Sequence, residues 1–448
     1  MKDPGHISIK RRRPKTGDPQ GPAVGQEDGA GEDSTPISRR ALLAGAAGAT
    51  LASVGASRVA GAVGDEVGDT AADEVQAVVQ EGVDSTKSIG RPISELGTRS
   101  PYEAPRRHLR TTSSGTPHED LHGIITPSDL HYERHHAGIP DIDPSTYSLL
   151  IHGMVDRPMV FTLDDLKRFP SVTSTYFIEC AGNFPTRAGE DTRPAQVAPL
   201  TSTSEWTGVP LALLFEEVGV HPDASWFLAE GQDGAVMGRS VPVEKAWDDS
   251  MIAYGQNGEA IRPEQGYPAR LLNPGWEGNT SVKWLRRIEL SDRPFMTRDE
   301  TSRYTEPIGD GKYRQFSFIM DARSLITSPG YPETVSPGWI EIRGIAWSGR
   351  GRIDHVDVSL DDGRTWVQAD LQEPVLSKCF TRFRYLWEWD GEETAIWSRA
   401  TDETGYVQPS AAEFIAARTA RSAYHHNPTT GWRIRSDGTV VYRTQEWA

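Results

Sequence analysis

Cys180 closes the run Phe177-Ile178-Glu179-Cys180 and is followed by Ala181-Gly182-Asn183. A cysteine at the end of an apolar strand, ahead of small turn-forming residues, can aim its sulfur into a cleft, where a soft thiolate binds a metal. The other cysteine, Cys379, lies in Ser377-Lys378-Cys379-Phe380 and has no such setting. A small buried hydrophobe is the plain alternative for either. A second cluster is Tyr132-Glu133-Arg134-His135-His136. Adjacent histidines on an extended strand point to opposite sides, so this pair is poorly placed to share one zinc ion. A solvated loop of paired charges is the simpler reading of such a run. A third cluster is Gly266-Tyr267-Pro268-Ala269-Arg270 with Asn273 to Trp284. Its Gly, Asn and Pro content, beside Arg270 and Lys283, suggests a backbone nest closing on an anion.

Elements around these clusters must position them. In the first globular half, Tyr147–Ile151 reads as a strand and Leu163–Phe169 as a short helix capped by Thr162. Val172–Glu179 is a strand, Val209–Val218 a helix behind Pro210, and Trp226–Ala229 a further strand. Strands and helices mix without regular alternation, which predicts an α+β domain rather than a doubly wound one. No GxGxxG follows a strand, and no P-loop occurs. After about Ile319 the pattern becomes that of strands: Trp339–Trp347, Ile353–Leu360, the turn Asp361-Asp362-Gly363 into Trp366–Gln368, Arg382–Trp389 and Thr394–Ala400. With no helix read there, an all-β immunoglobulin-like sandwich is expected.

The 448 residues hold 47 Lys+Arg against 63 Asp+Glu, a net charge of -16. Residues 1–60 carry nine Lys/Arg and six Asp/Glu, so the remainder stands at -19. A body that acidic repels phosphate backbones and argues against nucleic-acid binding, though not against one small anion in a locally basic pocket. Two cysteines 199 residues apart exclude a disulfide framework, a zinc ribbon and a cysteine-ligated iron–sulfur cluster. The chain has no Cys-x-x-Cys-His run, so no c-type haem of its own is expected.

Taken together, the ordered segments resemble the sulfite oxidase family of molybdopterin enzymes, most closely the molybdenum subunit of the Sox-type sulfite dehydrogenases. The resemblance rests on Tyr132–His136 with Ala137-Gly138-Ile139-Pro140, Gly153–Pro158, Glu179–Asn183, Glu205–Pro210 and Gln265–Trp284. Arg343–Gly349 and the Val358–Trp366 hairpin resemble the family's dimerisation domain. The resemblance implies a molybdopterin-binding catalytic domain over 121–318 and an immunoglobulin-like dimerisation domain over 319–448.

It also implies a molybdenum–molybdopterin cofactor with Cys180 as metal ligand. Arg134 would face the substrate and His136 the pterin, with Tyr132, His135, Asp233, Gln265, Arg270, Ser281, Val282 and Lys283 as further cofactor contacts and Tyr304 as the active-site tyrosine. Sulfite or a similar sulfur oxyanion is the implied substrate, a c-type cytochrome the acceptor, and a homodimer the assembly. A related molybdoenzyme reducing sulfoxides or oxyanions is the alternative. Many relatives carry substrate-binding arginine just after Cys-Ala-Gly-Asn, where this chain has Phe184 and Pro185. Arg382 or Arg384 is therefore expected to bring the second substrate cation from the other domain.

Ser38-Arg39-Arg40-Ala41-Leu42-Leu43 precedes an uncharged Ala- and Gly-rich run of 17 residues ending at Ser57. Twin arginines before a weakly hydrophobic segment fit a twin-arginine export signal over residues 1–60, and the run is too poor in Leu, Ile and Phe to span a membrane stably. A periplasmic or otherwise extracytoplasmic location follows. Residues 61–120, with few aromatics and many Gly, Ser, Thr, Asp and Glu, read as a disordered linker. Changing Arg39 and Arg40 to Lys should retain the protein in the cytoplasm; continued export on cell fractionation would mean that another signal operates.

Overall fold

The computed structural model describes residue 89 and residues 92–185, 188–419 and 424–443. The export signal and half of the linker expected from the sequence lie outside these residues. Two five-stranded sheets carry the first half. One runs Met159–Thr162, Ser148–Gly153, Leu285–Ser291, Trp226–Gly231, Gly238–Pro242, with a single parallel pairing between Ser148–Gly153 and Leu285–Ser291. The other orders Glu259–Ala260, Met251–Gln256, Thr201–Pro210 and Val172–Glu179, with Arg270–Leu272 also paired to Met251–Gln256. Leu149, Ile151, Leu214, Phe215, Phe227, Ile252 and Ile288 share one buried core, packed with the short helices.

Local chemistry explains most boundaries. Leu163–Arg168 is helical because Thr162 and Asp165 form a reciprocal capping box, and Leu163 and Leu166 fall on its buried side. The helix expected over Val209–Val218 starts at Leu211 rather than Val209. Val209 and Pro210 end the strand Thr201–Pro210, because pairing with Met251 and Ile252 outweighs their place in the helical pattern.

The second half has two antiparallel sheets: Arg323–Ser328, Gly338–Trp347, Thr381–Trp389, Asp370–Gln372, and Val367–Gln368, Ile353–Ser359, Thr394–Asp402, Thr430–Ile434, Val440–Arg443. Ile342, Ile345, Phe383, Val356, Ile396 and Trp432 from both sheets join one buried core. Alternation of buried and exposed residues was legible here because each sheet has one face on that core. One helix, Ala411–Arg418, departs from the all-β expectation; Ser410 and Glu413 cap it reciprocally.

The linker expected to reach residue 120 ends earlier. His108–Leu109 and Ser113–Gly115 form a three-stranded sheet with Glu133–Arg134, and Ser114, Thr116 and His118 are buried. Composition missed this segment because a few backbone pairings and small polar side chains, not apolar ones, dock it.

His118 packs edge-on to Phe380 and its Nε2 lies 3.0 Å from the Ala198 carbonyl. Burial lowers its pKa to about 3, against the usual 6.5. Because the unfolded imidazole takes a proton first, stability is full above pH 6.5 and falls as pH drops toward 3, at about 1.4 kcal/mol per unit. Between pH 6.5 and 5 this group should cost about 2 kcal/mol in urea unfolding. His118→Gln should remove that share of the pH dependence; an unchanged slope would exonerate His118.

Candidate functional site

Cys180 ends the Val172–Glu179 strand, where its N–H donates to Leu200 O (2.9 Å) and its carbonyl accepts from Asn183 N–H (3.0 Å). The tight turn leaves the thiol on the wall of two adjoining cavities. The inner one, about 670 Å³, is lined by Tyr132, Arg134, His135, His136, Cys180, Asp233, Gln265, Arg270, Ser281, Val282, Lys283 and Tyr304. Every cofactor or substrate residue expected from the sequence lines it except Arg382 and its alternative Arg384. The outer one, about 1750 Å³, shares Arg134, His136, Cys180 and Tyr304 and adds Arg110, Phe184, Leu200, Arg303 and Tyr424. These four shared residues therefore separate an inner chamber from a wider approach.

The floor of the inner chamber is stitched together by its own cations. Arg270 donates to Gln265 O (2.9 Å) and Ser281 O (2.8 Å), and Lys283 Nζ to Glu264 O (3.0 Å) and Arg134 O (3.2 Å), with His135 Nδ1 2.7 Å away. The Gly266–Trp284 segment, which includes the strand Arg270–Leu272, is thus held closed by Arg270 and Lys283 rather than forming an open nest. Gly266 has φ +111 there, and a Cβ would come within 3.0 Å of Lys283 Cβ and 3.1 Å of Arg270 Cβ. Gln265 donates to Tyr132 O (2.8 Å), joining this loop to the strand that brings in Arg134. Burial holds Lys283 well below its ordinary value and lowers Arg270 to about 10, so an anion bound beside them would favour their charged forms.

At the junction of the cavities, His136 Nε2 lies 3.1 Å from Tyr304 Oη. Burial, then Arg134, lowers His136 to about 4, while burial drives the Tyr304 phenol upward. The pair is therefore neutral near pH 7, and the charge at the mouth comes from arginines. Burial raises the Cys180 thiol above its ordinary value, so the sulfur on its own is protonated. Tyr304 and Trp284 both take left-handed φ values, +46 and +52. Such strain, about 1–3 kcal/mol each, gathers at functional sites.

Sequence reading missed three residues here. Arg239, fully buried and paired with Glu300 (2.8 Å) and Glu277 (3.2 Å), lies 4.7 Å from the Tyr304 ring centre and fixes it from behind. Arg303 stands next to Tyr304 in the chain and pairs with Asp299 at 3.5 Å. Arg110 comes from the segment read as linker. Adjacency to Tyr304 could have flagged Arg303; nothing in the local pattern distinguishes the other two.

Arg382 does not reach either cavity. It lies opposite Ile345 and Gln372, between buried Thr381 and Phe383, so strand alternation turns it to the other face. There it donates to Gly123 O (2.6 Å) and Leu121 O (2.7 Å), in a separate hollow with Arg343 and Arg384.

The inner chamber fits an organic metal cofactor. His131 Nε2 and Asn279 Oδ1 line it, buried without a hydrogen-bond partner among the described residues. No group of three or more His, Cys, Asp or Glu able to hold a metal occurs among the described residues, and Cys180 brings a thiol to the chamber wall.

Residues 136–298 match the family described as oxidoreductase molybdopterin binding domain, and residues 314–430 the Mo-co oxidoreductase dimerisation domain. The chain is 33% identical over 341 residues to the NADH nitrate reductase of Solanum lycopersicum, covering 64% of this chain and 36% of that protein. It is 31% identical over 320 residues to mitochondrial sulfite oxidase of Homo sapiens, covering 64% of this chain and 57% of that one. The chain thus spans about a third to just over half the length of these relatives. The solved sulfane dehydrogenase SoxCD from Paracoccus pantotrophus is similar at 42% identity and a TM-score of 0.72, covering 81% of this chain and 95% of that one.

The Cys180 turn is anchored from the second half of the chain. Glu179 accepts from Asn183 Nδ2 (2.8 Å), Arg323 Nη1 (3.2 Å) and Trp347 Nε1 (2.7 Å), and Arg323 also donates to Asn183 O (2.7 Å) and Val197 O (3.0 Å). Removing one partner of a buried pair costs about 3–5 kcal/mol, and an exposed pair contributes about 1 or less. Arg323→Met should therefore lower unfolding stability by that larger amount. Arg352→Met, which loses only the exposed contact with Glu403, should change it by less than about 1 kcal/mol. Equal losses in denaturant titrations would contradict this anchoring.

Proposed function

This chain belongs to the sulfite oxidase family of molybdopterin oxidoreductases, and from that premise we propose that it oxidises a reduced sulfur compound: sulfite, a related sulfur oxyanion, or sulfur carried on a protein. Electrons pass to a c-type cytochrome, the protein works outside the cytoplasm after twin-arginine export, and the C-terminal half pairs two copies. The observation that carries this reading is the placement of Cys180, Arg134 and Tyr304 on the wall between the inner chamber and the arginine-lined outer cavity.

Arg270, Lys283, Asp233, Gln265 and Ser281 would hold the pterin and its phosphate in the inner chamber, and the Cys180 thiolate would ligate the metal. When bound, the molybdenum cofactor supplies a two-electron redox centre capable of oxygen-atom transfer. Ligation requires the Cys180 proton to leave Sγ, which the metal's charge drives against the raised pKa. Arg134 presents a guanidinium fork suited to a tetrahedral oxyanion. Tyr304, protonated and propped by Arg239, keeps a hydroxyl at the junction beside neutral His136. Leu109, Phe184 and Tyr424 give the outer cavity apolar walls and a breadth beyond what a three-oxygen anion fills, which supports sulfur on a larger carrier as well.

Similarity to nitrate reductases favours one competing reading, an oxyanion reductase. Purified protein should contain molybdenum and reduce cytochrome c with sulfite or thiosulfate, and show little nitrate reduction with a reduced dye. The opposite pattern would establish the reductase. Cys180→Ser should abolish turnover, since a serine hydroxyl is a hard ligand that stays protonated; near-parental activity would remove Cys180 from the metal. Cys379→Ala, by contrast, should leave molybdenum content intact.

A further inference from the structure

Tyr304 stands at the junction of the two cavities in a left-handed backbone conformation, φ +46. Backbone of that kind persists only where the surroundings over-determine it. We propose that His425, from the second half of the chain, is a positioning residue for Tyr304 and acts on it through Glu277 and Arg239. The reaction it serves rests on the sulfur-oxidation reading; the network itself does not.

The network runs through buried groups. His425 Nε2 lies 2.8 Å from Glu277 Oε1, and since a carboxylate only accepts, this nitrogen donates. The other carboxylate oxygen, Oε2, accepts from Arg239 Nη1 at 3.2 Å. Arg239 Nε donates to Glu300 Oε1 at 2.8 Å, while Nη2 is buried with no hydrogen-bond partner among the described residues. The guanidinium lies 4.7 Å from the Tyr304 ring centre, and Tyr304 Oη meets His136 Nε2 at 3.1 Å. His425, Glu277, Arg239 and Glu300 are all buried, so each bond is made in a low-dielectric interior.

Glu277 is the member whose side chain needs setting. Its main chain is fixed: the N–H donates to Phe318 O (2.7 Å), the carbonyl accepts from Thr280 N–H (2.8 Å), and a bridge pairs it with Glu179, the residue before Cys180. Its carboxylate gives one oxygen to His425 and the other to Arg239. Burial pushes that carboxyl up, but His425 and Arg239 more than offset it and hold it below its ordinary value. Without the histidine, Glu277 Oε1 loses its donor inside the protein, and the carboxylate turns or takes up a proton. Either change loosens its hold on Arg239 and shifts the cation against the tyrosine ring. The same segment touches Tyr304 directly. Tyr424 lines the outer cavity with its ring centre 5.5 Å from that of Tyr304, and His425 N–H donates to Ala181 O at 2.9 Å.

The test uses the full-length, molybdenum-containing protein with fluorotyrosine incorporated, the Tyr304 fluorine signal being assigned by its loss in Tyr304→Phe. His425→Leu should displace that signal at unchanged molybdenum content. His425→Gln, whose amide still donates to Glu277, should keep it near the parental position, and His118→Gln, a buried histidine outside the network, should leave it alone. With sulfite, His425→Leu should lower kcat/KM by about ten- to a hundredfold. That loss should shrink to less than about twofold in a Tyr304→Phe background. An unmoved Tyr304 signal in His425→Leu, an equal displacement in His425→Gln, or the same loss of kcat/KM with and without the tyrosine hydroxyl would each overturn the proposal. If His425→Leu does not fold, Glu277→Gln, which keeps the shape and removes the charge, must displace the signal instead; an unmoved signal there overturns it too. Should the parent oxidise no sulfur compound while the Tyr304 signal still follows His425, the sulfur-oxidation reading would fail and the positioning role would stand.

Discussion

The buried Glu179–Arg323 pair is the contact on which the site's shape depends. Glu179 is the residue before Cys180, and Arg323 belongs to a strand almost 150 positions later in the chain. Burial pushes the Glu179 carboxyl up and the Arg323 guanidinium down, so the ion pair does not fully recover its own desolvation. Its return is geometric. Arg323 also grips the carbonyls of Asn183 and Val197, and Trp347 closes the remaining carboxylate oxygen, so the cysteine turn has one position. A second strut reaches the same turn, where His425 N–H donates to Ala181 O (2.9 Å) and its ring meets Glu277 (2.8 Å). The far half of the chain is therefore part of the site's frame without lining its inner chamber.

Charge is organised on two scales. The chain as a whole is acidic at -16, yet the two cavities concentrate Arg110, Arg134, Arg270, Lys283 and Arg303. A basic funnel in an acidic body draws small anions inward while the outer surface discourages larger polyanions. Inside, neutral His136 and protonated Tyr304 contribute donors without adding charge. The cations deeper in the chamber spend their donors on backbone carbonyls, which fixes the loop walls before any ligand arrives. Preformed walls lower the ordering cost of binding.

Much of the architecture was legible in sequence order. Alternation marked the strands of the second half because one face of each sheet is buried, and Thr162 with Asp165 marked a helix start by local hydrogen bonding alone. The motif residues from Tyr132 to Tyr304 converge on one cavity, as their resemblance to a single family implied. The Ser410–Glu413 capping box was equally legible and went unread inside a strand-rich region.

Amino-acid order by itself determined the local elements, the acidic balance and the candidate identity of Cys180, since each depends on neighbours within a few positions or on counting. Tertiary structure alone decided which cations reach the cysteine. Arg382 is excluded by the face its strand presents, and Arg110 is admitted because Ser113 pairs with Arg134. Through-space pairing set both outcomes, and for Arg382 a one-position change in strand register would reverse the side on which its guanidinium falls.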